Sequence, residues 1–237
     1  MHMPGPDLFT ERRAVLLRKY LGKGPRMVLD CGCGNGWFSY MAYKSGARVL
    51  GISLRADEVE KAREMYNVFM GLPKDKMDFQ HMNAYEMGTL NLDNQVDEII
   101  CFETLEHIKE DRRVCEIFYK MLKKNGVLHL SCPNSRHPRW QKEQLDIDSR
   151  WSGHVREGYT MDSYRALLEP LGFEIVGSEG MGNQFLSSVS EFVRWFNKGP
   201  VSYYLYYLLS AIFSFVVIFD KVSESSAFCI YVKCRKK

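Results

Sequence analysis

Residues 26–37 read RMVLDCGCGNGW, and this stretch decides the fold. Residues 27–29 form a short apolar run that stops at an acid, Asp30. Gly32, Gly34 and Gly36 follow at alternate positions. An apolar run ending in spaced glycines reads as a buried strand entering a tight turn. Glycine takes positive φ without strain and lets backbone approach a ligand closely. Open α/β sheets bind ligands at such a turn, at the carboxyl end of a strand. The third glycine of the dinucleotide pattern GxGxxG is missing: position 37 is Trp, and the next glycine is Gly46. That argues against a nicotinamide cofactor.

Outward from this turn the chain alternates. Upstream, residues 10–21 (TERRAVLLRKYL) predict an amphipathic helix with Thr10 as its N-cap. Downstream, WFSYMAYKSG predicts a helix closed by Gly46, and residues 47–53 (ARVLGIS) a second strand. A helix running to Gly71 follows. Residues 77–84 and 96–102 predict the third and fourth strands. EDRRVCEIFYKMLKKNG predicts a helix with basic residues in its last turn, favourable against the helix dipole. Residues 126–134 predict a fifth strand, ended by Pro133. A polar loop with Pro138, Trp140 and Trp151 spans 133–159, and a helix starts near Thr160. Residues 173–180 and 227–234 predict the last two strands. The expectation is one α/β domain over 1–237. It has a Rossmann-like, mostly parallel seven-stranded sheet, helices on both faces, and an insertion at 181–226.

Composition narrows the setting. Lys and Arg total 32 against 29 Asp and Glu, a net charge of +3. That is too small to predict a nucleic-acid partner. The seven cysteines include no CxxC pair, so reduced thiols in the cytoplasm are expected. The opening MHMPGPDLF lacks the basic-then-apolar pattern of a signal peptide.

The glycine turn, GIS at the end of the second strand, Asn83-Ala84 after the third and CFETLEHI after the fourth belong together. As a set they resemble the class I S-adenosylmethionine-dependent methyltransferases, over roughly residues 26–180 plus the last strand. The resemblance implies a methyl-transferring enzyme with S-adenosylmethionine as cofactor. It implies Asp30 near the methionine amino group and the backbone of Gly32, Cys33 and Gly34 beneath it. Asn83 would hydrogen-bond the adenine, Leu54, Ala84 and Tyr85 would surround the ring, and Phe102 would border the methionine. The family usually ends its second strand in an acid that binds both ribose hydroxyls. Here that position is Ser53, a departure from the pattern.

Glu103, Glu106 and His107 stand at i, i+3, i+4, one face of a helical turn. CFETLEHI resembles the corresponding segment of the ubiquinone-biosynthesis O-methyltransferases. ExxEH with a later histidine also resembles the metal site of small-RNA 2′-O-methyltransferases, with His154 as fourth ligand. Two carboxylates with imidazole suit Mg²⁺, Mn²⁺ or Zn²⁺. The alternative is pocket lining, with His107 or His154 taking the acceptor proton. Arg156 and Tyr159 either touch substrate or anchor their loop.

Residues 201–219 carry no charge and would span about 28 Å as one helix, a bilayer's hydrocarbon thickness. A single crossing would put the last two strands on opposite sides of a membrane. Three uses remain: an anchor lying in a membrane interface, a lid over the acceptor, or a homodimer contact. Before it, Val189, Phe192, Val193 and Phe196 predict one helical face. The expected function is methyl transfer to a hydroxyl, or an amine, of a lipid or hydrophobic small molecule. The expected place is the inner membrane face, peripherally. The alternatives are an RNA or nucleotide-sugar methyltransferase and a non-catalytic module on the same fold.

Overall fold

The structure, a computed structural model, describes residues 8–142, 145, 153–195 and 200–237. Helix α1 (Leu8–Tyr20) precedes strand β1 (Met27–Cys31), helix α2 (Trp37–Lys44) and strand β2 (Arg48–Ser53). Helix α3 (Ala56–Arg63) continues into a π-helical turn, Glu64–Phe69, before β3 (Met77–His81). A 3₁₀ segment, Ala84–Leu90, leads to β4 (Val96–Phe102), α4 (Asp111–Met121) and β5 (Leu122–Pro133). Then come α5 (Met161–Leu168), β6 (Phe173–Met181), α6 (Gln184–Trp195), α7 (Pro200–Phe213) and β7 (Cys229–Lys236).

The seven strands form one sheet in the order β3-β2-β1-β4-β5-β7-β6, with only β7 antiparallel to its neighbours. Adjacent residues face opposite sides, and both sides are buried. Val28, Val49, Ile100 and Tyr231 pack with α1, α2 and α3. Leu29, Leu50, Ile99 and Val232 pack with α4 and α5. The Rossmann-like architecture expected from the strand-helix alternation is therefore present.

Several boundaries move. α1 already runs from Leu8, so Thr10 lies inside the helix and does not cap it. The helix after β4 stops at Met121, because Leu122 pairs with Val96 and the chain enters the sheet there. α5 begins with a capping box: Ser163 N–H donates to Thr160 Oγ1 at 3.1 Å, and Thr160 N–H donates to Ser163 Oγ at 2.8 Å.

The insertion is shorter in helix than expected. α7 has 14 residues, and Ser214–Phe219 tighten to 3₁₀. Among the described residues no helix is long and apolar enough to cross a membrane. β7 pairs with both β5 and β6, so the strands on either side of the insertion lie in one sheet. In α6 the buried residues are Leu186, Ser190 and Val193, and Val189 is partly buried. Phe192 lies off that face and is exposed, contrary to the expected grouping. Its turn of helix carries it toward Phe185 and Trp195, which are also exposed. Trp151, Phe196 and Lys198 lie outside the described residues, as do the side chains of Arg194 and of tyrosines 203, 204, 206 and 207.

Candidate active site

Four neighbouring strands, β3, β2, β1 and β4, deliver their carboxyl ends to one edge. There the turn after β1 folds onto β2, with the N–H groups of Gly32 and Cys33 both donating to Ile52 O at 2.9 Å. Gly32, Gly34 and Gly36 all have positive φ. At Gly32 a Cβ would meet Thr104 Oγ1 at 2.0 Å, so glycine is required for packing against the segment after β4. At Gly34 a Cβ would meet nothing within 4 Å, so this backbone faces open space.

Asp30 is buried, and its carboxylate accepts a hydrogen bond from Ser39 Oγ at 2.6 Å. Burial pushes its pKa up to about 6, although the Ser39 bond pulls the other way. A buried carboxylate held by a neutral serine hydroxyl suits a ligand ammonium group. Ser53, also buried, donates from Oγ to Glu58 Oε2 at 2.7 Å. Burial raises the pKa of the Cys33 thiol, and the charges of Asp30 and Glu58 raise it further. Glu58 is thus a residue that sequence reading missed. Its carboxylate, on the first turn of α3, lies beside the Ser53 hydroxyl at the strand end. The signal was present as an acid five residues after the strand end, but α3 has several acids.

Asn83 Oδ1 accepts from Tyr85 N–H at 3.0 Å and caps the 3₁₀ segment. Ala84 packs into the core, and Leu54 is exposed at the same edge, its carbonyl bound by His81 Nε2. Tyr85 OH accepts from Glu110 N–H at 3.0 Å. Phe102 is buried, edge-on to Phe38 at 4.9 Å.

The acidic and histidine residues divide into two groups. Glu103 has φ +48, a left-handed conformation uncommon for a residue other than glycine. Its Oε2 meets Arg13 Nη2 at 2.8 Å, and its Oε1 accepts from Ser131 Oγ at 3.1 Å. Arg13 reaches it from α1. Glu106, His107 and His154 form the other group, with ligand atoms all within 4.8 Å of one another. Three of the four expected metal ligands therefore converge, and Glu103 is committed to Arg13. Glu106 is buried, and its carboxyl is held well above the usual range by burial and by the Glu103 charge. The His107 and His154 rings lie edge to face, 4.8 Å apart. His107 Nδ1 lies 3.1 Å from Gly153 O. A carbonyl only accepts, so Nδ1 carries the proton and the basic lone pair is on Nε2.

Arg156 and Tyr159 hold the loop in place. Arg156 binds Asp111 and the carbonyls of Ile108 and Lys109, and Tyr159 OH donates to Asp111 Oδ2 at 2.6 Å. With Val155 N–H on Glu106 O at 2.9 Å, they pin His154 against the turn that carries His107. Beyond His154 runs an aromatic wall. Trp140 is 5.4 Å from His154, Phe228 is 4.6 Å from Trp140, and Phe9 is 4.7 Å from Phe228.

A family model described as a methyltransferase domain matches residues 7–178. The chain belongs to the methyltransferase-domain family. This methyltransferase domain is 32% identical over 137 residues to the ubiquinone biosynthesis O-methyltransferase of Histophilus somni, covering 58% of this chain and 57% of that one. The protein of the same name from Psychrobacter cryohalolentis is 31% identical over 119 residues, covering 50% and 45%. The chain thus spans about half the length of the curated relatives it matches. The S-adenosylmethionine-dependent methyltransferase structure from Mesorhizobium loti superposes with a TM-score of 0.63 at 17% identity. The match covers 97% of this chain and all of that one, and it establishes the shared fold. The residues at the glycine turn fit the cofactor of this family. Asp30 offers a carboxylate for an ammonium group, Gly34 an open backbone, and Glu58 with Ser53 a polar pair for hydroxyls.

Proposed function

We propose that this methyltransferase domain transfers a methyl group from S-adenosylmethionine to a hydroxyl of a hydrophobic small molecule that partitions into membranes. When bound, the cofactor supplies an activated methyl group on a sulfonium, so the protein's work is orientation and deprotonation. Asp30 holds the cofactor's amino group, and Glu58 with Ser53 takes its ribose hydroxyls. Asn83, Leu54, Ala84 and Tyr85 form the adenine side. The observation that carries the reading is the pair His107 and His154 beside the glycine-turn edge. His107, with its basic Nε2, removes the acceptor proton. His154 and Trp140 orient the acceptor, and Arg156 clamps the segment that carries His154. Support for a hydrophobic acceptor comes from the aromatic wall and from the relatives' name.

A second reading is favoured by the convergence of Glu106, His107 and His154 within 4.8 Å. A divalent cation held there would lower the hydroxyl's pKa and orient its oxygen. One carboxylate with two imidazoles suits Mn²⁺ or Zn²⁺ better than Mg²⁺, which prefers oxygen ligands. Single-turnover methyl transfer to a lipid-soluble catechol tests both readings. Under the base reading, His107→Gln slows transfer by about 100-fold or more while chelation changes nothing. Under the metal reading, chelation abolishes transfer and Mn²⁺ restores it. Unchanged rates in both arms contradict both readings.

A further inference from the structure

The segment between β6 and β7 leaves the sheet at its carboxyl edge and returns there, beside the histidines. It carries two uncovered apolar stripes. On α6, Phe185, Phe192 and Trp195 are exposed. Along α7 and the 3₁₀ turn after it, Leu205, Leu208, Ile212, Phe215 and Ile218 are exposed at helical spacing. Their exposure runs from 38% for Leu205 to 69% for Ile218. Phe192 meets Phe213 edge-on at 6.2 Å, so the two helices are neighbours.

The segment's acids are occupied elsewhere. Asp220 is buried against Arg12 at 3.0 Å, Glu191 pairs with Arg139 at 3.2 Å, and Glu224 accepts from Ser178 Oγ. The bases Arg194 and Lys198 stand before the uncharged run 199–219, and Lys221 stands after it. An uncharged run bracketed by bases in the sequence complements an anionic membrane surface. Continuity with the site supports the same occupant. Gly182, where the segment begins, packs so closely on Phe9 and Phe228 that a Cβ would meet each at 2.6 Å. Those rings belong to the wall that runs to His154.

We propose that the stripes on α6 and α7 dock the enzyme on an anionic phospholipid bilayer, which delivers the acceptor to the edge bearing His107 and His154. The proposal rests on the hydrophobic-acceptor reading above. A second copy seated on the same stripes would cover the edge through which that acceptor must arrive.

The test is flotation of the full chain with phosphatidylglycerol–phosphatidylcholine vesicles and with phosphatidylcholine vesicles alone. The expected result is flotation with the anionic vesicles, weakened by salt. Leu208→Glu/Ile212→Glu should lower the partition coefficient roughly tenfold or more, with circular dichroism and cofactor binding unchanged. Quenching of tryptophan fluorescence by brominated lipid should drop in Trp195→Phe, which keeps the test decisive if the double variant misfolds. Wild-type protein that stays unbound with both vesicles overturns the proposal. So does quenching unaffected by Trp195→Phe, or a dimer that the double variant dissociates. Failed flotation with methylation of a lipid-soluble acceptor in detergent overturns docking alone. Flotation with methylation only of water-soluble acceptors overturns the acceptor reading and leaves docking standing.

Discussion

Asp30 sits buried at the end of β1 with its pKa pushed up from 3.8 to about 6, chiefly by burial. Its folded value lies above its unfolded value. The stabilising contribution is therefore fully present below about 3.8 and is lost as pH rises through about 6. That difference corresponds to about 3 kcal/mol at neutral pH. Asp30→Asn should therefore stabilise the cofactor-free protein at pH 7.5 in urea unfolding, and the gain should vanish near pH 4. An ammonium ligand prefers the ionised form, so cofactor affinity should fall about tenfold per pH unit below 6. In Asp30→Asn, calorimetric titration should show weak binding without that slope.

Glu58 is the second residue-scale test. If it binds the ribose hydroxyls, Glu58→Ala should weaken S-adenosylmethionine by about 10- to 100-fold, the worth of charge-assisted hydrogen bonds. Ser53→Ala should cost less. An unchanged affinity in Glu58→Ala removes it from the site. That Asp30, Ser53, Asn83 and Phe102 gather along one edge was legible in the sequence, because each stands at or next to the carboxyl end of a strand. The pairing of Glu58 with Ser53 was not, because the hydrogen bond that joins them runs from the end of β2 to the first turn of α3. The separation of Glu103 from Glu106 was equally hidden. It follows from a positive φ and from Arg13, a residue 90 positions earlier in the chain.

At the scale of elements, the strands and helices were readable from apolar runs and glycine punctuation, and their ends were not. Leu122 joins β5 because Val96 offers it a partner, which no local pattern announces. The uncharged run 201–219 read as one continuous helix, yet it tightens after Phe213. Val216 and Val217 are buried in the core that includes α1. Asp220 then closes the insertion. Its Oδ2 accepts from Gly182 N–H at 2.9 Å, its Oδ1 from Asn183 N–H at 2.7 Å, and Arg12 pairs with it from α1. One carboxylate thus joins the start of the insertion, its end and the first helix. Asp220→Ala leaves the buried Arg12 without this partner and should destabilise the fold by about 3–5 kcal/mol. Urea unfolding measures it. A loss below about 1 kcal/mol would show that the insertion is held by its apolar contacts alone.

Across the whole molecule, one edge of the sheet gathers the glycine turn, the histidine pair and the root of the apolar insertion. The arrangement follows from topology. β6 ends and β7 begins at the carboxyl edge, so anything inserted between them stands at the same edge as the carboxyl ends of β1 and β4. The wild-type protein with methyl-labelled S-adenosylmethionine and a membrane lipid extract should move label into an organic-phase product bearing a new O-methyl group. His107→Gln/His154→Gln should move little while still binding the cofactor. Label found only in water-soluble products, or transfer undiminished in the double variant, would contradict a hydrophobic hydroxyl acceptor served by these two histidines.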